Sequence, residues 1–311
     1  MLPFSSPLLH TLKLNVQYFS HDEEAFPFSA YPDLIAAINT IHLPVLTTLA
    51  LSEDFDTEEG RGEDSFFSSD FSAFLARHPT LLDLTLNVSG TNLTNDISFL
   101  PLLRSFKGSF QDSAIICGGR RQLHKLVVTF LHPFTSFDRP SFHTFPLPSQ
   151  LSLTHLHVTA VDTRGEVLKT IDELSSGSFA HLVVSFPNVT HLDVRINGLI
   201  TEYCRDLTLL TKLQSVRFVE YRKTRRVGTA QELFPPTDYD EAFGTFLPFL
   251  PQLAWIEICM LVDKLEGREE YSDSEFNSDE EYDLMGERPH MQADYCFTVI
   301  RKNGGVNAQI L

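Results

Sequence analysis

The residue types best suited to chemistry fall in two matching phrases, Thr154-His155-Leu156-His157 and Thr190-His191-Leu192-Asp193. A His-x-His beside a His-x-Asp, each at strand spacing, sets three imidazoles and a carboxylate on one face. Zinc accepts such a ligand set. The same residues also serve as ordinary polar groups on a solvated face, with Asp193 paired to His157 or Arg217. Zinc sites need supporting partners that a regular strand face rarely supplies, so no metal and no cofactor are expected. A surface for a protein partner is the third reading. It joins Arg195, Arg217 and Trp255 to His155, His157, His191 and Asp193 as candidate binding residues.

Other chemistries lack their motifs. Ser215 falls near His191 by lateral register, but the chain holds no G-x-S-x-G elbow. It holds no G-x-x-x-x-G-K phosphate loop either, and Gly118-Gly119 and Gly304-Gly305 read as turns. The chain is not expected to be an enzyme.

The elements that must position these residues repeat one phrase, P-x-L-x-x-L-x-L. Its clearest copies are Pro44 to Leu51 and Pro187 to Val194. Others run from Pro7 to Leu14, Pro79 to Leu86, Pro101 onward, Leu123 to Val128, Leu153 to Val158, Leu213 to Phe218 and Pro251 to Ile258. The closing L-x-L alternates apolar and polar residues, the period of a strand with one buried face. Such a strand cannot bury its apolar side alone and must stack on its neighbours.

In Leu81-x-x-Leu84-x-Leu86 and Val189-x-x-Leu192-x-Val194-x-x-Asn197 the phrase resembles the strand segment of leucine-rich repeats, L-x-x-L-x-L-x-x-N. The Pro before the repeat, the loose spacing and the Phe-rich helices are similar to the repeat regions of fungal, basidiomycete-type F-box-like proteins. The resemblance covers residues 5–260. It implies an α/β leucine-rich-repeat solenoid of about nine irregular repeats, with parallel strands on the concave face and helices and loops on the convex face. It also implies a protein-interaction module, the substrate-recognition part of an F-box-like component of a cullin–RING ubiquitin ligase. A free-standing repeat scaffold or inhibitor is the alternative. No F-box is recognisable, so a ligase adaptor would have to be reached through an upstream segment. The client is unnamed, and a monomer is expected.

Composition narrows the partners. The chain has 311 residues, 42% of them apolar, and a formal net charge of −17. That balance argues against general binding to nucleic acid or to an anionic membrane. Arg222-Lys223-Thr224-Arg225-Arg226 is a local exception and reads as a solvated loop. The four cysteines are far apart and form no CxxC, so they read as reduced thiols of a cytoplasmic or nuclear protein. No secretory signal is visible, and no apolar run reaches the ~18 residues of a membrane span.

Between strands, helices are expected at Leu34 to Ile41, Phe67 to Arg77, Glu166 to Leu174, Phe179 to Phe186 and Tyr239 to Leu250, and Tyr203 to Leu210 fills a short unit. Leu131 to Gln150 reads as an irregular loop. Three segments follow: the solenoid over 1–260, an acidic disordered loop over 261–290, and a capping strand with its tail over 291–311. Tyr295 to Ile300 should return beside Leu253 to Ile258. Ser272 and Ser278, flanked by acidic residues, are candidate phosphorylation sites.

Overall fold

The computed structural model describes residues 8–18, 40–55, 71–87, 93, 100–118, 122–131, 150–161, 176–196, 199–224, 229, 233, 235–264, 290–302 and 305–310. The expected helix at Glu166 to Leu174, nearly all of that at Leu34 to Ile41, most of the loop at Leu131 to Gln150, Asn197, and both candidate phosphorylation sites lie outside them.

Seven turns explain the opening of the repeated phrase. Leu46 N–H donates to the Leu43 carbonyl, and the same three-residue return joins Leu81 to His78, Leu103 to Leu100, Leu153 to Gln150, Val189 to Phe186, Leu213 to Leu210 and Leu253 to Leu250. Pro44, Pro79, Pro101, Pro187 and Pro251 each occupy the second position, where a fixed φ favours the turn and no N–H is needed. The residue that closes each turn is buried: Leu46, Leu81, Leu103, Leu153, Val189, Leu213 and Leu253.

The next step ties each repeat to the one before it. The His10 carbonyl accepts N–H groups from both Thr47 and Thr48. Thr47 does the same for Leu82 and Asp83, Leu82 for Arg104 and Ser105, and Arg104 for His124 and Lys125. His124 then takes Thr154 and His155, Thr154 takes Thr190 and His191, and Gln214 takes Ala254 and Trp255. Threonine hydroxyls reinforce the clip: Thr47 Oγ1 donates to His10 O, Thr154 Oγ1 to His124 O and Thr190 Oγ1 to Thr154 O.

The strands follow at once: β1 (Thr11–Tyr18), β2 (Thr48–Phe55), β3 (Asp83–Asn87), β4 (Ser105–Ser109), β5 (Lys125–Leu131), β6 (His155–Val161), β7 (His191–Ile196), β8 (Ser215–Thr224) and β9 (Trp255–Lys264). Two more, β10 (His290–Lys302) and β11 (Gly305–Ile310), complete an eleven-stranded α/β sheet whose order is the chain order. The long, mostly parallel, open sheet is compatible with a solenoid.

The chain divides into two compact units, Met1–Ile171 with Gly177–Leu192, and Asp172–Ser176 with Asp193–Leu311. In the first, β1 to β6 are parallel, and Leu49, Leu84, Phe106, Leu126 and Leu156 meet laterally in register. In the second, β9 lies parallel to β8, while β10 returns antiparallel to β9 and β11 antiparallel to β10. Tyr295 pairs with Ile258 and Phe297 with Ile256, so the returning strand lies where the sequence places it. Arg301 on β10 donates to the carbonyls of Leu250 and Leu253, anchoring the returning hairpin to the turn that opens β9.

Helices depart more from expectation. The one at Phe67 to Arg77 is described only as Phe71–Ala76, with Phe71, Phe74 and Leu75 buried. The helix expected at Phe179 to Phe186 starts three residues earlier, at Ser176, and runs to Ser185. The expected Tyr239 to Leu250 helix is a chain of short pieces, Pro236–Tyr239, Asp240–Phe246 and Leu247–Phe249, the first and last being 3-10 turns with Pro in their first turn. The short unit around Tyr203 to Leu210 holds a 3-10 turn at Ile200–Glu202 and a short helix at Cys204–Leu207. The helix Phe110–Gly118 was not expected at all. It starts on a side-chain cap straight after β4: Ser109 Oγ accepts the Asp112 N–H at 3.1 Å and donates to Asp112 Oδ2 at 2.8 Å. Strand ends also differ. β8 includes Arg222 and Lys223, read above as loop, because β9 runs on to Lys264 and offers them a paired backbone. Among the described residues, no helix is long and apolar enough to cross a membrane.

Candidate functional site

Alternation along each strand decides which side chains remain outside. In β3 and β4 the even positions Leu84, Leu86 and Phe106 are buried, while Asp83, Thr85, Ser105 and Lys107 are exposed or half-buried. The same phase exposes Lys125 and His155 and half-buries His157 and His191. In the second unit it leaves Arg217, Glu257 and Trp255 accessible, with Asp193 half-buried. Arg195 breaks the pattern: it is buried, 5% exposed, and is withdrawn from the face on which the sequence placed it. Thr129 and Cys259, at the same third position of their strands, are also buried.

The first cluster is an imidazole pair. His155 and His191 stack with ring centroids 4.2 Å apart and planes 3° from parallel. Each ring is held by the threonine before it, His155 Nδ1 at 2.9 Å from Thr154 Oγ1 and His191 Nδ1 at 2.8 Å from Thr190 Oγ1. Each hydroxyl also reaches a backbone carbonyl, at the longer distances of 3.2 and 3.0 Å, so one hydroxyl hydrogen serves ring and carbonyl and the ring tautomer sets the direction of the Nδ1 bond. Burial first, then the charges of His191 and Lys125, pushes the His155 pKa below its ordinary 6.5. Lys125 is the in-register neighbour of His155 on β5, and His157 lies beside Val127.

Stacking has a consequence for metal chemistry. An imidazole donates in its ring plane, so the lone pairs of two parallel stacked rings run side by side instead of converging on one ion. Among the described residues, no group of three His, Cys, Asp or Glu side chains is arranged to hold a metal.

The second cluster is an ionic fork. Arg217 Nε donates to Glu257 Oε1 at 2.9 Å, and Arg217 Nη1 lies 3.4 Å from Asp193 Oδ2. The Asp193–Arg217 pair was legible in the lateral register of the phrase, whereas Glu257 as a partner was not singled out. Burial alone would lower the Arg217 pKa, but the two carboxylates outweigh it and raise it. The three side chains are about a third exposed, so the fork orders the face more than it stabilises the fold. Trp255 stands one residue pair away, 38% exposed, with Ser215 on one side and Thr298 on the other. The returning strand therefore flanks the indole without covering it.

Cysteine chemistry is suppressed. Cys117, Cys204 and Cys259 are buried and Cys296 half-buried, all as free thiols. Burial pushes Cys204 up to about 12 and, with a hydrogen bond to Asp294, Cys259 up to about 12, so both stay protonated and unreactive at neutral pH.

Two further residues organise their surroundings without a signal in the repeat. Glu220 sits at a core position of β8, 0% exposed, where other strands carry an apolar residue. Its carboxylate accepts the Ile200 N–H at 2.8 Å and the Tyr239 O–H at 2.9 Å. His78, also 0% exposed, accepts the Leu43 N–H on Nε2 at 3.1 Å and donates from Nδ1 to the Phe74 carbonyl at 2.8 Å.

No family model and no curated protein matches the chain. Among solved structures, a protein from Bacteroides fragilis is similar with a TM-score of 0.39 and 18% identity, over 69% of this chain and 60% of that one. The match spans less than two thirds of that protein's length, and a likeness so distant carries neither fold nor function across.

Proposed function

We propose that the chain is a protein-interaction module, an irregular leucine-rich-repeat solenoid of about nine repeats whose exposed sheet face selects a protein client. The observation that carries this reading is the strand alternation. In the first unit it keeps Lys125, His155 and His191 outside, and in the second Arg217, Glu257 and Trp255, each set above a buried row of apolar side chains. Accessible aromatic and arginine residues are the types that dominate binding energy at protein interfaces. The finer reading is substrate recognition for an F-box-like component of a cullin–RING ligase, supported by the resemblance of the Pro before the repeat, the loose spacing and the Phe-rich helices to such repeat regions.

The test is affinity capture from a lysate of the source cell with the tagged chain, read by mass spectrometry beside a Trp255→Ala/Arg217→Ala variant. Clients lost in the variant support the module, and a cullin with its adaptor among the captured proteins supports the ligase assignment. Clients without ligase parts point to a free-standing scaffold. A capture profile identical to that of the variant, with no protein enriched by the parent chain, rejects the reading.

A further inference from the structure

The exposed sheet face of the first unit is cationic in a chain whose net charge is −17. Face positions of β4 to β6 hold Lys107, Lys125, His155 and His157 and no Asp or Glu, and β7 adds His191. Lys125 is in register with His155, which stacks on His191. With strands ~4.8 Å apart, these three groups form a row about 10 Å long. Among the described residues no carboxylate pairs with Lys107 or Lys125. The nearest face carboxylates are spoken for or stand apart. Asp193, two residues along the strand from His191, is engaged by Arg217. Asp83 lies on β3, with Ser105 on β4 between it and Lys125.

We propose that this row binds an acidic peptide segment of a protein partner, and binds it more tightly as pH falls through the histidine range. The inference names the partner chemistry of the interaction-module reading and rests on it. Protonating both stacked rings beside Lys125 gathers three positive charges, which repel one another. Carboxylates laid across the row relieve that repulsion, so peptide binding and proton uptake favour each other by the same factor. A long polyanion is a poorer occupant. It spans well beyond the ~8 Å screening length and meets the repulsion of the strongly acidic remainder, whereas a short acidic segment senses the local field.

The experiment measures fluorescence anisotropy of a labelled poly-aspartate peptide of about twelve residues, a length many times the strand spacing. The full chain is titrated in low salt at pH ~8 and pH ~5, the lower value chosen because His155 titrates below its ordinary range. The parent binds about tenfold more tightly at the lower pH. Lys125→Glu weakens binding about tenfold at both, and His155→Gln with His191→Gln removes the pH response while leaving binding at pH ~8. Each variant is first checked by circular dichroism. Absence of poly-aspartate binding by the folded chain at both pH values overturns the proposal. So does binding that Lys125→Glu leaves unchanged, or oligothymidylate bound as tightly as the peptide. The two readings separate cleanly: a captured client that still binds Lys125→Glu keeps the module and sinks the acidic-peptide row. Poly-aspartate binding with no client captured does the reverse.

Discussion

At the scale of single residues, the chain uses histidine for two opposed ends. His155 and His191 lie on an accessible face, where a proton can enter from water. His78 is sealed, and both ring nitrogens are consumed by the backbone of Leu43 and Phe74. Burial first, and then the charges of Arg77 and His42, lowers the His78 pKa below 6.5 against the raising effect of its bond to Phe74. A pKa depressed by folding means that the folded state resists protonation. The contribution of His78 is therefore complete above about pH 6.5 and is lost as pH falls toward the folded value. Urea unfolding should show stability declining below pH ~6.5 in the parent and a flatter decline in His78→Ala. The variant should already be less stable at neutral pH by about 1–3 kcal/mol, since the Leu43 N–H and the Phe74 carbonyl lose their partner. An identical acid limb in both proteins would assign the decline to other groups. Neither His78 nor Glu220 is legible as a linchpin in the sequence. In the sequence His78 is only the residue between the expected Phe67 to Arg77 helix and Pro79, and Glu220 is a charged residue in phase with Val216 and Phe218, where the repeat calls for an apolar one. Their roles depend on partners 35 and 20 residues away.

Among elements, strands were far more legible than helices, and the reason is physical. A strand of the phrase shows its two-residue alternation over a handful of positions, and a turn with Pro in its second place fixes where it starts. Among the described residues the helices are short, 4 to 10 residues, and present too few turns for a 3.6-residue period to emerge. The imidazole stack and the Asp193–Arg217 pair were legible for the same reason that the strands were: parallel register makes equivalent positions neighbours. The burial of Arg195 was not, because alternation alone does not reveal where the exposed face ends. β4 shows how a repeat survives losing a leucine. Gly108 takes the position that Leu86 and Val128 fill on flanking strands, and a Cβ there would come 2.6 Å from Phe106 Cζ and 3.3 Å from Leu86 O. The phenyl ring of Phe106 has taken the missing side chain's space. Gly108→Ala should cost about 1–3 kcal/mol through overpacking. Adding Phe106→Leu should recover part of that loss in urea unfolding, although Phe106→Leu alone is destabilising. Simple additivity of the two changes would show that ring and glycine are not coupled.

For the whole molecule, the chain-order sheet predicts that damage stays local. Leu192 on β7 is 2% exposed, and burying a leucine contributes about 1.5–3 kcal/mol. Leu192→Asp replaces that gain with an unpaired carboxylate in the apolar row. Hydrogen exchange read by mass spectrometry should show β6 and β7 losing protection, while β1 to β3 and β9 to β11 keep theirs. Equal loss of protection everywhere would mean that the sheet unfolds as one cooperative block. The doubly used carbonyl at the head of each strand carries a further consequence, for how the chain can be edited. Thr154 closes on His124 across 30 residues, Thr190 on Thr154 across 36, and Thr47 on His10 across 37, with the same bonds each time. Doubling a loop adds only about 0.6 kcal/mol of closure entropy. Register is thus written at the clip and is independent of how much chain intervenes, so the segments between clips are the natural places to splice in a reporter or a new binding loop without re-indexing the strands.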